Sequence, residues 1–396
     1  MADPTPLLAP PVLITTPEAL RQMIVRLRAA PAVALDTEAN SFYAYHERVC
    51  LIQLTFDETD YIIDPLAVTD VRALGPVFAD PTIEKVFHAA EYDLFIMKRE
   101  YGFEFASLFD TMIASRILGR PAIGLAAILE EQFGVRLDKR WQRADWGRRP
   151  LPPEQLTYAR LDTHYLLPLR DALLAELRAL GREEEAREEF AQLAQASPPL
   201  HKFDPEGFWR IKGAHDLSPR EAAVLRELYL YRDEQARRRN RPPFKVISDA
   251  ALVRVSQVRP RDQGELVRIR GLSSYVIRRY GRGILEAVAR GLQARPLQRP
   301  RPTNEHRPDE ATLARLEALK AWRKARAARR GVAPDVVLSN ATLLALARRN
   351  PRTVEELTTV PGLGDWKRRE YGAEIIQTLR DLHPTSPRPS RQGGRR

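Results

Sequence analysis

The stretch VALDTEANSF, residues 33–42, begins as an apolar strand and then places two carboxylates, Asp36 and Glu38, on either side of Thr37. Alternate side chains of a strand lie on the same face, so these two acidic groups project together at the strand end and repel each other. Such a pair needs an opposite charge beside it. The strand end is therefore the first candidate for a functional site.

The length of 396 residues exceeds one ordinary core and predicts two or three domains. The apolar fraction of 44% is typical of soluble proteins, and no apolar run of about 18 residues is present to span a bilayer. The N-terminal segment contains prolines and no leading basic residues, unlike a signal peptide. We expect a cytoplasmic protein with no membrane partner. The single cysteine, Cys50, excludes an internal disulfide and a thiolate zinc cluster.

The net charge of +11 conceals two halves of opposite sign. Residues 1–200 contain 21 Lys and Arg against 30 Asp and Glu, whereas residues 201–396 contain 42 against 22. An arginine excess of this size is typical of a surface that binds phosphates. The segments YRDEQARRRNRPPFK, 231–245, and AWRKARAARRG, 321–331, place basic side chains at helical spacing and are the predicted phosphate contacts. A solvated charged face is the alternative.

Patterns along the chain predict its domains. The strand-like runs AVALDTE, CLIQLTF, YIIDP and KVFHAA come early and helical patterns follow, which predicts an α/β domain around a central sheet. Prolines near 198 and throughout RPLQRPRPTNEHRP interrupt the pattern. The predicted units are an α/β domain at 12–195, a helical module at 206–293, a Pro/Arg-rich linker at 294–308, a second helical module at 309–382 and a basic disordered tail at 383–396.

The two helical modules are predicted to be copies of one another. PFKVISDAAL, from Pro243, aligns with PDVVLSNATL, from Pro334, at an offset of 91 residues. The same offset places Gly271 on Gly362 without a gap. A period as long as a domain indicates duplication of a module rather than a solenoid.

Two further segments carry acids that can join the pair at the strand end. Asp93 follows KVFHAA and opens an apolar helical stretch. In LPPEQLTYARLDTHYLLPL, Pro153 suits a first helical turn, and Tyr158 and Asp162 then share one helix face. Asp162 interrupts an apolar stripe. Because a buried, unpaired carboxylate is costly, Asp162 needs a basic residue or a cation beside it.

Asp36, Glu38, Asp93 and Asp162 together offer four carboxylates. Oxygen donors without His or Cys suit hard divalent cations, Mg²⁺ or Mn²⁺, rather than zinc. Each acid alone is more often a helix cap or a surface residue, and we expect a cap at Asp110 in LFDTMIASRILG. The set as a whole predicts a metal site.

These residues resemble the motifs of the DEDD superfamily of 3′-5′ exonucleases, in the subgroup whose third motif contains tyrosine. The matching motifs are Asp36-Thr37-Glu38, His88 with Asp93, and Tyr158 with Asp162. The segments LDKRWQRADWGRRPL, 137–151, and WRIKGAHDLSPRE, 209–221, are similar to the ribonuclease D family. The two repeated modules resemble the HRDC domain.

The resemblance implies an RNase H-like mixed-sheet fold and two-metal hydrolysis of a phosphodiester at a 3′ end. The implied ligands of the two ions, Mg²⁺ or Mn²⁺, are Asp36, Glu38, Asp93 and Asp162. Tyr158 is implied to orient the attacking water, since the normal tyrosine pKa of about 10 makes it a poor base at neutral pH. The implied substrate is RNA with a single-stranded 3′ end, such as a tRNA precursor, from which 5′ mononucleotides are released.

Two other functions fit the same residues. A DNA exonuclease uses the same carboxylate set, and no motif here recognises a 2′-hydroxyl. A non-catalytic RNA-binding protein on this fold is the other alternative, although buried unpaired acids have no purpose in an inactive enzyme. The aromatic residues Phe42, Tyr43 and Tyr45 are predicted either to stack on terminal bases or to pack in the protein. No sequence feature indicates an oligomeric state.

Overall fold

The strand that carries Asp36 and Glu38 lies inside a six-stranded mixed sheet in the computed structural model, which describes residues 9–198, 203–300 and 308–382. The strands are β1 (Val12–Ile14), β2 (Ala32–Ala39), β3 (Val49–Phe56), β4 (Thr59–Ile63), β5 (Glu84–Phe87) and β6 (Leu108–Asp110). Their order across the sheet is β1-β4-β3-β2-β5-β6. β2 pairs antiparallel with β3 and parallel with β5, so the acidic strand is central.

Helices cover this sheet and confirm the predicted α/β class. They are α1 (Pro17–Leu27), α2 (Gly75–Phe78), α3 (Glu91–Tyr101), α4 (Thr111–Leu118), α5 (Leu125–Phe133), α6 (Pro153–His164), α7 (Leu166–Ala179) and α8 (Glu183–Gln195). α6 packs on β2, β3 and β4, while α7 packs on β2 and β5. β3 is buried along its whole length, which explains the unbroken apolar run VCLIQLTF.

The start of α6 follows the sequence signal. Pro153 occupies the first turn, where its missing N–H and fixed φ are tolerated. The helix ends at His164, and Tyr165 separates it from α7. At Asp110 the expected cap is confirmed, because its carboxylate accepts hydrogen bonds from the N–H groups of Met112 and Ile113 at the start of α4.

The back half of the chain folds into two helical modules. The first contains α9 (Pro219–Arg238), α10 (Pro243–Val246), α11 (Asp249–Val258), α12 (Gln263–Val267) and α13 (Ser274–Gln293). The second contains α14 (Glu310–Arg330), α15 (Pro334–Val337), α16 (Asn340–Arg349) and α17 (Asp365–Asp381). Each has its own apolar core.

The offset of 91 residues holds in three dimensions. It carries the bounds of α10 onto those of α15 and the bounds of α11 onto those of α16. Gly271 and Gly362 both have positive φ, +96° and +76°. Glycine adopts this conformation without the steric cost that other residues meet, so the repeated glycine supports the same turn in both modules.

The second module docks on α8 of the α/β domain through charged contacts. Arg330 donates to Glu185 at 2.9 Å, and the Glu185 side chain is 1% exposed. The N–H of Trp366 donates to Glu188 at 2.7 Å, and Lys367 pairs with Glu189. The acidic run of α8 is thus neutralised by a module from the basic half of the same chain.

This docking gives the basic segment 321–331 a structural role that the sequence did not indicate. Arg323 donates to the carbonyl of Leu338, and Arg326 pairs with Glu374 at 3.0 Å. Together with Arg330, these arginines hold the second module together and fix it to α8. Fewer of the basic side chains at 321–331 are therefore available to a phosphate than helical spacing suggests.

None of the helices in the described ranges is both long and apolar enough to cross a bilayer. The predicted disordered tail at 383–396 and the part of the predicted linker at 301–307 lie outside the described residues.

Candidate active site

Three of the predicted acids meet where β2 ends beneath α6. One carboxylate oxygen each from Asp36, Glu38 and Asp162 lies within 4.8 Å of the others. Asp36 and Glu38 share a face of β2 because the strand alternates, and α6 lies over that face and brings Asp162 to it. The repelling pair seen in the sequence thus becomes a cluster of three carboxylates.

Asp93 borders this cluster but does not belong to the group of three. It lies in the first turn of α3 and is 6% exposed. The Thr37 hydroxyl, on the opposite face of β2 from Asp36 and Glu38, donates a hydrogen bond to its carboxylate. Thr37 therefore fixes the orientation of Asp93, a contact that the sequence did not reveal.

The four acids share one electrostatic property, a raised pKa. Burial raises the pKa of Asp36 well above its usual range, and the charges of Asp93, Asp162 and Glu38 raise it further. Burial, followed by the charges of Asp162 and Asp93, also raises the pKa of Glu38. Burial raises the pKa of Asp93 and that of Asp162 to about 7. Within the described ranges, no Lys, Arg or His side chain forms an ion pair with any of these four acids.

Tyr158 is positioned beside the acids by packing. It is 9% exposed, and its ring stacks on Trp146 with centroids 6.0 Å apart. Burial, followed by the charge of Asp162, raises the pKa of Tyr158 far above neutrality, so its hydroxyl stays protonated and can donate. The hydroxyl in turn partly offsets the rise in the pKa of Asp162.

The segment at 137–151 builds the support for Tyr158. Arg149 donates to both oxygens of Asp64, at 2.6 and 2.8 Å, and to the carbonyls of Cys50 and Trp146. These contacts fix the loop on the sheet and hold the Trp146 ring under Tyr158. This support depends on the contact between Arg149 and Asp64, which are 85 positions apart in the sequence. The sequence alone therefore does not indicate it.

A cleft of about 380 Å³ opens over the acids. Its walls include His88, Gln142 and the first residues of α5. His88 contacts the Thr111 hydroxyl at 2.9 Å. Gln142 and the start of α5 were not among the predicted site residues, because no local pattern connects them to the acidic motifs.

One more buried group faces the same side of the sheet. Gln53 of β3 is opposite Asp36 in the β2–β3 register, so both side chains lie on one face. Gln53 is 0% exposed, and neither its amide nitrogen nor its amide oxygen has a hydrogen-bond partner within the described residues. An unpaired buried amide beside unpaired buried acids fits a site that is completed by a ligand.

The predicted aromatic residues divide by role. Tyr43 donates to the carbonyl of Arg143, and Tyr45 donates to Asp233 at 2.8 Å, so both hydroxyls are used in packing. Phe42 is 47% exposed, with the Arg143 guanidinium 6.0 Å from its ring centroid. Tyr92, beside Asp93, is also 45% exposed and donates to Glu47.

Comparison with protein families matches this arrangement. Residues 11–178 match the 3′-5′ exonuclease domain family, and residues 221–288 and 312–379 match the HRDC domain. The two HRDC matches are themselves displaced by 91 residues.

Individual relatives extend over most of the chain. Ribonuclease D of Gluconacetobacter diazotrophicus is 34% identical over 372 residues, covering 92% of this chain and 92% of the relative. Ribonuclease D of Escherichia coli is 37% identical over 278 residues, covering 70% and 73%. Its crystal structure, described as that of an exoribonuclease involved in structured RNA processing, aligns with a TM-score of 0.65 and 30% identity over 95% of this chain and 100% of that one. The catalytic core of RRP6 from Trypanosoma brucei aligns with a TM-score of 0.67 and 29% identity over 73% and 81%.

A mixed sheet that gathers acids into one cleft, together with the exonuclease family match, defines a 3′-5′ exonuclease of the metal-dependent carboxylate class. Within that class, the long alignments with ribonuclease D sequences and the paired HRDC modules identify one family. The chain belongs to the ribonuclease D family and is an exoribonuclease.

Proposed function

We propose that this exoribonuclease trims structured RNAs that carry a single-stranded 3′ end, such as tRNA precursors, and releases 5′ mononucleotides. We also propose that two divalent ions, Mg²⁺ or Mn²⁺, are held by Asp36, Glu38, Asp93 and Asp162. The observation that carries the proposal is the convergence of Asp36, Glu38 and Asp162 within 4.8 Å, with raised pKa values and no basic partner among the described residues.

The residues present fit divalent ions of this kind. All four ligands are carboxylates, the donors that Mg²⁺ and Mn²⁺ prefer. Cationic charge would also relieve the repulsion that raises the pKa of Asp36. When bound, the ions would lower the pKa of a water and neutralise charge on the phosphate.

The protein side chains then have separate tasks. Asp36, Glu38 and Asp162 are close enough to share one ion, and Asp93, which borders them and is oriented by Thr37, would supply the fourth carboxylate. The Tyr158 hydroxyl, which stays protonated, is a donor that can orient the attacking water. The protein therefore supplies positioning and charge rather than a covalent intermediate.

RNA is favoured over DNA by the relatives. The curated relatives are ribonucleases, and the Escherichia coli structure is described as acting in structured RNA processing. The basic back half of the chain supplies attraction for any phosphate backbone, so it does not by itself separate the two nucleic acids.

Activity measurements on carboxamide variants test the proposal. Asp36→Asn and Asp162→Asn should lower release of 5′ mononucleotides from a 3′-tailed tRNA, with Mg²⁺ present, by at least about 100-fold, since each removes a ligand charge. Glu154→Gln, in the exposed first turn of α6, is the matched control and should retain activity.

Substrate comparison completes the test. A single-stranded DNA of the same 3′ sequence should be cleaved more slowly than the RNA under identical metal and salt. Undiminished release by both Asn variants would refute the proposed site. Equal rates on RNA and DNA would refute the substrate class while leaving the site intact.

A further inference from the structure

A second cleft lies between the α/β domain and the first helical module. It measures about 670 Å³. One wall is the loop that follows β2, including Tyr45 and His46, with Arg99 of α3 beside it. The other wall comes from Phe203 and from Arg237 and Phe244 of the first module. None of these residues belongs to the acidic cleft described above.

The interdomain cleft is connected to the active site by the loop that follows β2 and by a hydrogen bond from α3. Its first lining residue, Ser41, is three positions after Glu38, so the loop leaves the acidic strand end directly into the cleft wall. Tyr92, next to Asp93, donates to Glu47 on the same wall. A strand whose 3′ end occupies the acidic cleft therefore has this second cleft as a neighbouring surface.

The two walls are fixed to each other by hydrogen bonds. Asn240 has a φ of +46°, and its side-chain oxygen accepts the N–H groups of Tyr45, at 3.1 Å, and His46, at 3.0 Å. The Tyr45 hydroxyl donates to Asp233. The cleft is thus preformed, which lowers the entropy that binding a flexible strand must overcome.

The chemistry of the cleft matches single-stranded nucleic acid. Phe244 is 53% exposed and Phe203 is 40% exposed, the latter stacked on Tyr229 with centroids 5.3 Å apart. Arg237 is exposed, and its charge acts on Asp233 and Tyr45 at the edge of the cleft. Exposed rings next to an exposed arginine are the combination that stacks bases and neutralises a phosphate.

We propose that the interdomain cleft binds the single-stranded nucleotides that precede the 3′-terminal one, with Phe244 stacking on a base and Arg237 contacting a phosphate. This inference rests on the proposed function, because it assumes that an RNA strand ends in the acidic cleft. It assigns the first module a direct part in holding the substrate and explains why that module is braced against the loop after β2.

The test compares a dinucleotide with a single-stranded 12-mer that ends in the same two nucleotides. Phe244→Ala should lower kcat/KM for the 12-mer roughly 5- to 100-fold, the loss expected for one base stack, and leave that for the dinucleotide within about twofold. Val267→Ala, an exposed apolar residue elsewhere on the same module, should leave both substrates unaffected. An equal loss on both substrates, or no loss on the 12-mer, would overturn the proposal.

The phosphate contact has its own readout. Binding of the 12-mer, measured by fluorescence anisotropy with a chelator present, should depend less on salt in Arg237→Ala, with the slope of log Kd against log salt smaller by about 0.7. Arg282→Ala, a 94% exposed arginine outside the cleft, is the control. An unchanged slope would overturn the assignment of Arg237. If wild-type protein bound the 12-mer through Phe244 and Arg237 but never cleaved RNA, the proposed function would fail and the cleft assignment would stand.

Discussion

Asp36 and Asp162 show how the fold changes the acidity of two carboxylates. Each is an ordinary carboxylate in the unfolded chain, but burial and the charge of Asp93 raise the pKa of both in the folded protein. Spacing on a strand and on a helix indicated Asp36 with Glu38 and Tyr158 with Asp162, and the resemblance to the exonuclease motifs added Asp93 to the predicted site. The sequence did not predict Thr37 or Gln53 as neighbours of the acids, because those contacts follow from strand register and from the way α3 packs.

Stability of the metal-free protein should fall as the pH rises. The pKa of Asp93 and that of Asp162 rise from 3.8 to about 7 on folding. Between these values the folded state holds protons that the unfolded state has released, so the free energy of unfolding decreases with pH and levels off above about 7. Thermal melts in chelator at pH 5, 6, 7 and 8 should show a falling Tm, and the decline should be shallower in Asp162→Asn. A Tm that rises over this range in the wild-type protein would contradict the assigned shifts.

Removing the unpaired Gln53 amide should stabilise the metal-free protein. Gln53→Leu keeps most of the side-chain volume and removes two buried polar atoms without partners, so unfolding should require about 1–3 kcal/mol more free energy. Adding Mg²⁺ should stabilise Gln53→Leu less than wild type, because the variant lacks the amide that would pair with a group ordered by the metal. Urea denaturation with and without Mg²⁺ measures both effects, and a destabilised metal-free variant would show that Gln53 already has a partner.

At the scale of elements, α6 is the part of the fold that the site depends on most. It carries Tyr158 and Asp162, and its last turn is fastened to the sheet by a buried network. Thr163 bonds to Thr55 at 2.8 Å, Thr55 donates to Asp60, and His164 contacts the same carboxylate at 2.9 Å. The proline signal predicted where α6 begins. The network that fixes its end could not be predicted, because it joins residues more than 100 positions apart.

Weakening this hydrogen-bond network should lower the catalytic rate, although Thr163 is not a substrate-binding residue. Thr163→Val keeps the shape of the side chain but leaves the buried Thr55 hydroxyl with one partner fewer, which should cost about 1–3 kcal/mol of stability. Because α6 then holds Asp162 less firmly, kcat should fall more than KM rises. Thr157→Val, an exposed position on the same helix, is the control. Unchanged kcat together with lowered stability would limit the network to a structural role.

At the scale of the whole molecule, the opposite charges of the two halves meet in the fold. The sequence predicts phosphate contacts for the basic back half. The structure adds that part of the basic charge neutralises α8, through Arg330 and Lys367. The duplication of the modules was predictable because it is a local repeat. Their docking was not, since Glu185 and Arg330 are 145 residues apart.

The buried ion pair of Glu185 with Arg330 should stabilise the protein far more than the exposed pair of Glu184 with Arg369. Glu185→Gln leaves Arg330 partly buried without its carboxylate and should destabilise the protein by about 3–5 kcal/mol. Glu184→Gln removes a pair with Arg369 that is more than half exposed, so its effect should be about 0–1 kcal/mol. Chemical denaturation of both variants, with limited proteolysis of the second module, provides the comparison. Equal effects of the two substitutions would contradict the docked arrangement.

Deletion of the back half should weaken RNA binding and also destabilise the α/β domain. A chain ending near residue 200 lacks Asn240, which holds the loop after β2, and lacks the partners of the acids in α8. We expect such a fragment to bind RNA with a flatter salt dependence and also to be less stable than the intact chain. A fragment as stable as the full chain would show that the modules do not brace the α/β domain.

Direct titration of Mn²⁺ into the full-length protein tests the metal site most directly. Calorimetry on metal-free wild type should give two ions bound per chain, with affinity increasing between pH 6 and pH 8 as the acids lose protons. Asp36→Asn and Asp162→Asn should each abolish binding of at least one ion, whereas Glu154→Gln should bind as wild type does. Binding that is undiminished in both Asn variants would contradict the assignment of Asp36, Glu38, Asp93 and Asp162 as the metal ligands.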